Sequence, residues 1–306
     1  MVELIYENKD WLPFFTGALD EITVPWRLNY IEDFELDLNQ PPDNVIYLNR
    51  ISPSSHTRGH NSAIIRGEQY LEHLAAYNRT VLNGAETLNY EMSKVEQYRL
   101  LERFGLNYPP TVFSSNLDEL IVQAYRLNFP VLTKHNCSGK GLGIRLVQSA
   151  VELRDYLGST DYEPSPDGIL LVQQYIQPRN DRITRVELLG GELVYAFHSS
   201  TKQGFELCPA DACAVDREGL SGAVCSKDNN LFSYIPDFDH PLAYKYAEMA
   251  REVPFDLVGI EFVEGNNGVP YTYDINATTN YSPDVENASG HLAKLAFQRL
   301  IKRTMT

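Results

Sequence analysis

The sequence predicts a mixed α/β protein built from three lobes, on three observations. A chain of 306 residues is long enough to bury more than one core, and two or three compact lobes are the natural expectation. Apolar residues make up 43% and aromatics 11%, and the 19 Tyr suit half-buried strands, so the material for those cores is present. Short strand-like runs alternate with amphipathic stretches, broken near Glu91 and again over a polar, Pro-containing link at 159–167.

In the first lobe, residues 1–91, strands are expected at 3–6, 26–31 and 45–49. A helix over 62–77 places Ile64, Ile65, Tyr70, Leu71, Leu74 and Ala75 near one stripe, and 80–83 is extended. The second lobe, 92–168, opens at Ser93, an N-cap candidate whose helix stops at Gly105. It continues with an extended 109–113, a helix over 117–127, strands at 131–134 and 144–147 around a glycine loop, and a helix from Ala150. The third lobe, 169–306, starts with an almost wholly apolar strand, 169–176, of the kind found at the centre of a sheet. Strands at 184–189, 193–199, 257–263 and 271–277, a turn-rich stretch at 219–230 and helices at 242–252 and 293–302 complete it.

A net charge of −15, with no long basic run, argues against a nucleic-acid face or an anionic-membrane surface. The N-terminus lacks a basic segment followed by an apolar core and a cleavage site, and no apolar run approaches a membrane span, so a cytoplasmic protein is expected. The four cysteines, 137, 208, 213 and 225, form no CxxC pair and read as free thiols rather than a zinc site or a disulfide framework.

The most informative segment is a pair of strands, Leu257-Val-Gly-Ile-Glu-Phe-Val263 and Tyr271-Thr-Tyr-Asp-Ile-Asn276, joined by Gly265-Asn-Asn-Gly268. Alternation puts Thr272, Asp274 and Asn276 on one face and Tyr271, Tyr273 and Ile275 on an apolar one. A turn centred on Asn266–Asn267 sets Glu261 opposite or diagonal to Asp274. Facing carboxylates destabilise a sheet unless a hard cation such as Mg²⁺ takes them as oxygen ligands; a solvated sheet face with chance acids is the other reading.

Lys134-His-Asn-Cys-Ser-Gly-Lys-Gly-Leu-Gly143 is a glycine loop between two strands. Its peptide N–H groups could approach phosphate oxygens, with Lys134, Ser138 and Lys140 adding donors and charge; it is neither the Walker nor the Rossmann pattern and by itself reads equally as a turn. The strand ending Gln173-Gln-Tyr-Ile176 could show backbone groups to an adenine edge or simply end a central strand. Arg185 shares a face with Glu187, so it either pairs with a neighbouring acid or stabilises charge on a transferring phosphoryl group. In the first lobe Arg50, Ser52 and Ser54 follow a strand end, where they could hold a substrate carboxylate or merely form a polar loop.

Taken in order, these pieces resemble the ATP-grasp superfamily and, within it, the RimK-type glutamate ligases. The resemblance runs from about residue 45 onward through Ser93-Lys94, Phe104-Gly105-Leu106, Pro109-Pro-Thr111, Val131-Leu-Thr-Lys134 with the glycine loop, Val172-Gln-Gln-Tyr-Ile176, Arg185, Gly190-Gly191, Gly259-Ile-Glu261 and Asp274-Ile-Asn276. It implies an ATP-grasp fold: an N-terminal Rossmann-like pre-ATP-grasp lobe and two α+β lobes sandwiching ATP. It also implies roles by position. Lys94 and Lys134 would hold the α- and β-phosphates, with Ser138, Gly139, Lys140, Gly141 and Gly143 closing over them. Gln173, Gln174, Tyr175 and Ile176 would line the adenine slot; Glu261, Asp274 and Asn276 would bind two Mg²⁺, for which Mn²⁺ could substitute. Arg185 would stabilise an acyl phosphate and the tetrahedral intermediate formed from it.

The activity so implied is an ADP-forming carboxylate–amine ligase acting on an amino acid, a small carboxylate or a peptide, with a small-molecule kinase and a non-catalytic nucleotide-binding module as the alternatives. The oligomeric state stays open, a homo-oligomer included. Two departures from the family pattern stand out. The acid usually found two residues before the arginine is Ile183, which would pass a ribose contact to Asp181, and the metal strand runs into Ala277-Thr-Thr-Asn280 instead of a small residue, Pro and Gly. The stretch 204–213 also lacks the basic, glycine-rich pattern that reads a glutamate substrate, which points to a different substrate.

Overall fold

The structure, a computed structural model, describes residues 1–139, 141–201 and 231–306. The first sheet is wholly parallel. It is built from β1 (Val2–Tyr6), helix α1 (Pro13–Glu21), β2 (Trp26–Tyr30), β3 (Ile46–Arg50), helix α2 (Ala63–Ala76) and β4 (Val81–Leu82), in the strand order β2-β1-β3-β4. On α2 the buried stripe is Ala63, Gly67, Tyr70, Leu71 and Leu74, while Ile65 and Ala75 face outward, contrary to the stripe expected from the sequence. The stripe is turned toward Gly67, where an added Cβ would lie 2.2 Å from Ile51 Cδ1.

Two helices lead to the second sheet, α3 (Ala85–Met92) and α4 (Lys94–Arg103). Ser93 caps α4 by accepting from Glu96 N–H, and Gly105, at φ +60°, lies beyond its end in the left-handed conformation open to glycine. The second sheet contains β5 (Thr111–Ser114), α5 (Leu117–Ala124), β6 (Val131–His135), β7 (Arg145–Val147), α6 (Ala150–Leu157) and β8 (Leu170–Gln174), in the antiparallel order β5-β8-β6-β7. Asn116 and Ser149 cap the two helices, which pack on one another over Leu120, Ala124 and Leu153. The apolar strand at 170–174 is central, as its composition predicts, but it bonds to β5 and β6. A division at residue 168 would cut this sheet, and the third sheet begins at Arg182 instead.

The third sheet is formed by β9 (Arg182–Leu189), β10 (Glu192–Ser200), β11 (Phe232–Ile235), α7 (Pro241–Glu252), β12 (Leu257–Glu264) and β13 (Pro270–Asn276), ordered β11-β10-β9-β12-β13 and antiparallel. Helices α8 (Pro283–Ser289) and α9 (Leu292–Thr304) follow. The expected turn-rich stretch at 219–230 lies outside the described residues, as do Cys208, Cys213 and Cys225. Helix α9 packs Phe297 and Ile301 into a core shared with Phe15 and Leu19 of α1 and Phe197 of β10, joining the first sheet to the third. Asn83, at φ +54°, adds a second join: its side chain donates to Leu257 O and Ala277 O and accepts from Leu257 N–H. Among the described residues no helix is long and apolar enough to cross a membrane.

The β12–β13 pair carries the feature that matters most for the site. Glu261 faces Asp274 directly, but the next register pair is Phe262 with Thr272, so Tyr273 is the extra residue of a bulge. The bulge exchanges the faces that strict alternation gives Thr272 and Tyr273, while Asp274 and Asn276 keep the cleft face. Thr272 is fully buried against Tyr246 of α7, their hydroxyls 2.5 Å apart, whereas Tyr273 turns to the cleft and donates to Glu261 Oε2 at 2.8 Å.

Gly259 has no room for a side chain. A Cβ there would stand 2.5 Å from Arg185 Nη2 and 2.7 Å from its Nε. Gly259→Ala is therefore expected to cost about 1–3 kcal/mol of folding stability, measured by chemical denaturation, because the guanidinium and its carboxylate partners must shift together.

Candidate active site

Between the second and third sheets lies a cleft of about 1460 Å³, counting its open mouth, closed at one end by the first lobe's 52–54 turn. Of the residues singled out from sequence, it is lined by Lys94, Lys134, Ser138, Gly139, Gly141, Gln173, Gln174, Tyr175, Ile176, Arg185, Glu261, Asp274, Asn276, Ser52 and Ser54. Lys140 lies outside the described residues.

Two lysines set the electrostatics of the inner wall. Lys94, on the first turn of α4, pairs with Asp274. Burial alone would lower the Lys94 pKa and raise that of Asp274, but each charge outweighs the other's burial, so Lys94 is raised and Asp274 lowered. The position of Lys94 is fixed by Asn136 of the glycine loop, whose carbonyl accepts from Lys94 N–H and whose side-chain oxygen accepts from Val95 N–H at 2.9 Å. Lys134, on β6, is buried and donates to Gln173 Oε1 at 3.2 Å beneath the Tyr273 ring, 5.0 Å from its centroid. Among the described residues no carboxylate forms an ion pair with it. Burial, reinforced by the charge of Lys94, pushes its pKa down to about 8.

Gln173 is held in turn, donating to Tyr98 Oη and Thr111 Oγ1, both at 2.8 Å. It is thus a support for Lys134 rather than part of an open slot. Beyond it, Tyr175 N–H is taken by Pro130 O, and Ile176 continues the wall toward the cleft mouth.

The opposite wall is anionic. Glu261, at its bulge-distorted pair with Asp274, accepts from Arg185 Nη1 at 2.8 Å and from Tyr273. Burial raises the Glu261 pKa, Arg185 opposes the rise, and Asp274 adds to it. Arg185 also donates through Nε to Glu187 Oε1 at 2.7 Å and through Nη2 to Thr279 Oγ1 at 2.6 Å. Burial would lower its pKa, but the two carboxylates raise it above the ordinary arginine value. Asn276, next on the cleft face, has a buried Nδ2 with no partner.

Three expected site residues sit elsewhere. Asp181 is exposed in a left-handed turn, its carbonyl taken by Thr201 N–H, and the residue at the cleft is Ile183. Gly143, at φ +71°, is pressed against the His135 ring, 2.3 Å from where a Cβ would stand, so it shapes the loop without lining the cleft. Arg50 lies below the cleft floor. Its Nη2 donates to Thr279 O and Asn280 Oδ1, each at 2.9 Å, and to Thr278 O at 3.2 Å, its Nε and Nη1 are buried without a hydrogen-bond partner among the described residues, and the side chain is not part of the cleft lining. Ser52 and Ser54 do face the cleft, their hydroxyls 2.9 Å apart. Cys137 is buried with its thiol pushed up to about 12, which makes it a poor nucleophile.

Other cleft residues gave weaker signals in the sequence. Glu91, read there only as a boundary, accepts from Ala277 N–H and Thr278 Oγ1 and so anchors the 277–280 segment from one side while Arg50 anchors it from the other. Burial raises its pKa against those two hydrogen bonds. Thr279 bridges Arg185 and Glu187, and Trp11 lines the first-lobe end. For Glu187 the signal was present, because alternation places it on the face of Arg185.

Residues 92–207 match the RimK-like ATP-grasp domain family. No curated protein matches the sequence. A RimK-domain ATP-grasp protein of Sphaerobacter thermophilus superposes with a TM-score of 0.66 at 16% identity, covering 98% of each chain. D-cycloserine synthetase superposes with a TM-score of 0.66 at 14% identity, covering 100% of this chain and 99% of its own. A peptide-modifying (RiPP-associated) ATP-grasp ligase of Chryseobacterium gregarium, in complex with ADP and a leader and core peptide, does so with a TM-score of 0.65 at 12% identity, covering 99% and 96%. The chain has the ATP-grasp fold along nearly its whole length, and its residues 92–207 are similar to the RimK-like ATP-grasp domain family.

Proposed function

We propose that the protein is an ADP-forming carboxylate–amine ligase that uses ATP and Mg²⁺ on a small-molecule or peptide carboxylate. The observation that carries this reading is Lys134. A lysine buried without a carboxylate partner among the described residues, beside a second lysine, needs an anion, and its wall is formed by a glycine loop that can bring peptide N–H groups to phosphate oxygens. The similar structures, one a D-cycloserine synthetase and one a ligase holding ADP and a leader and core peptide, support the nucleotide and leave both substrate sizes in play.

The residues fit a divalent cation. Two carboxylates in direct register and the Asn276 carboxamide, with its partnerless buried nitrogen, form an oxygen-donor set on one wall, and rotating the amide would aim its oxygen inward. When bound, Mg²⁺ would neutralise charge on the phosphates. Lys94 and Lys134 then hold the phosphate oxygens, and the Ser138–Gly141 loop covers them. Arg185 presents its remaining N–H donors to the group being transferred.

In the reaction, a carboxylate oxygen attacks the γ-phosphorus and the bond to the β-phosphate oxygen breaks, releasing ADP. The amine then attacks the acyl carbon, the C–N bond forms, the amine loses a proton, and phosphate leaves. No covalent bond to the enzyme is needed, which agrees with Cys137, the one described cysteine, being buried outside the cleft lining with its thiol pushed up to about 12.

The test is incubation with ATP, Mg²⁺ and pooled carboxylates and amines, followed by mass spectrometry. ADP release that requires both co-substrates, with an amide product, is expected. A stable phosphorylated product formed without amine would replace the ligase reading by phosphoryl transfer.

A further inference from the structure

Arg185 is held by more acid than it needs. Among the described residues it is the single cation paired with two buried carboxylates, Glu187 and Glu261, which accept from its Nε and Nη1 at 2.7 and 2.8 Å. Glu187 is fully buried on β9 and does not line the cleft. It also accepts from Thr279 Oγ1 at 3.0 Å with each of its oxygens, while Thr279 itself accepts from Arg185 Nη2. Arg185, Glu187 and Thr279 therefore close a triangle behind the cleft, and the Thr279 corner comes from the 277–280 segment in which this chain departs from its family's pattern.

We infer that Glu187 is a positioning residue that keeps Arg185 in place while Glu261 is released to a divalent cation; this rests on the metal site of the ligase reading. With Glu187 present, the guanidinium keeps a full counter-charge and two of its hydrogen bonds, to Glu187 and Thr279, when Glu261 turns away. Without it, Arg185 and Glu261 become an exclusive buried pair, and a cation must break that pair to gain its ligand. Loss of the Glu187 charge also makes the cleft less attractive to any cation, so both effects have the same sign.

The experiment is the Mg²⁺ dependence of ADP affinity, followed by calorimetry on the full chain, which needs no knowledge of the other substrates. In the wild type, Mg²⁺ is expected to tighten ADP binding. Glu187→Gln, which keeps the shape and removes the charge, should raise the Mg²⁺ concentration at the midpoint by about tenfold while changing the metal-free affinity by less than about twofold. Thr279→Val, which opens the triangle at its neutral corner, should raise it by about threefold. Glu264→Gln, which removes an exposed acid at the end of β12, should leave it unchanged.

An unshifted midpoint in Glu187→Gln, or an equal weakening with and without Mg²⁺, overturns the inference. Should thermal melting show that Glu187→Gln does not fold, the Thr279→Val midpoint decides instead, and an unshifted value there overturns it. Absence of any Mg²⁺ effect in the wild type would remove the metal site and this inference together, an outcome distinct from failure in the variants alone.

Discussion

Replacing Lys134 by Met should weaken ADP binding by about 100-fold or more, roughly 3 kcal/mol, because the side chain proposed to meet the phosphates loses its charge but little of its volume. Calorimetric titration of wild type and variant with ADP measures this directly, and an affinity within about threefold of wild type would remove Lys134 from the phosphate site. A pH series supplies a second signature. The Lys134 pKa is near 8 in the unliganded protein, so its charge is present below that pH and is lost above it. ADP affinity should therefore fall as pH rises from about 8 to 10, and that slope should be absent in Lys134→Met.

Folding stability should move the opposite way in this window. An unfolded lysine holds its proton to about pH 10.4, so between 8 and 10.4 the unfolded chain binds more protons than the folded one, and stability gains with pH. The two slopes share one titration and carry opposite signs, which separates a phosphate-binding lysine from one that merely tolerates burial.

Asp274→Asn should reduce turnover by about three orders of magnitude, some 4 kcal/mol of transition-state stabilisation, by removing a carboxylate from the proposed metal-ligand set. Its second effect is less obvious. Asp274 is the counter-ion of Lys94, so the variant leaves two neighbouring lysines, one buried and one partly buried, without an acid in hydrogen-bond contact among the described residues. ADP should then bind more tightly without Mg²⁺ than it does to wild type, and Mg²⁺ should no longer help. Folding stability should drop by at most about 3 kcal/mol, since Lys94 and Asp274 keep 15% and 21% exposure and water moderates the unpaired charge. Tighter metal-free binding with lost turnover identifies Asp274 as a carboxylate shared between Lys94 and a metal. Unchanged turnover would sink its assignment as a ligand.

Local pattern carried most of what the sequence revealed. Strand alternation placed Arg185 beside Glu187, and the Gly265–Gly268 turn set Glu261 against Asp274, because both depend only on short-range geometry. The bulge at Tyr273 was invisible, since inserting one residue into a ladder leaves no mark on hydrophobic period, and it reversed the faces of Thr272 and Tyr273. The apolar run at 170–174 declared itself central without saying which sheet it was central to. Arg50 could not be placed because its partners lie about 230 positions away in the chain, at 278–280. Its burial turned an expected substrate clamp into a beam under the floor. Asp181 is exposed in a left-handed conformation outside the cleft lining, a local backbone choice that pattern alone does not foretell.

The join between α1 and α9 has a consequence for how the protein is made. Phe15 and Leu19 find their cover in Phe297 and Ile301, about 280 residues later, so a ribosome must add that whole stretch before that surface can be sealed. Until then the nascent N-terminal sheet travels with an oily flank in water, a contact of very high sequence separation that is slow to form and open to aggregation. Production of this protein in a host should accordingly be sensitive to chaperone supply during translation, even where the finished molecule is stable.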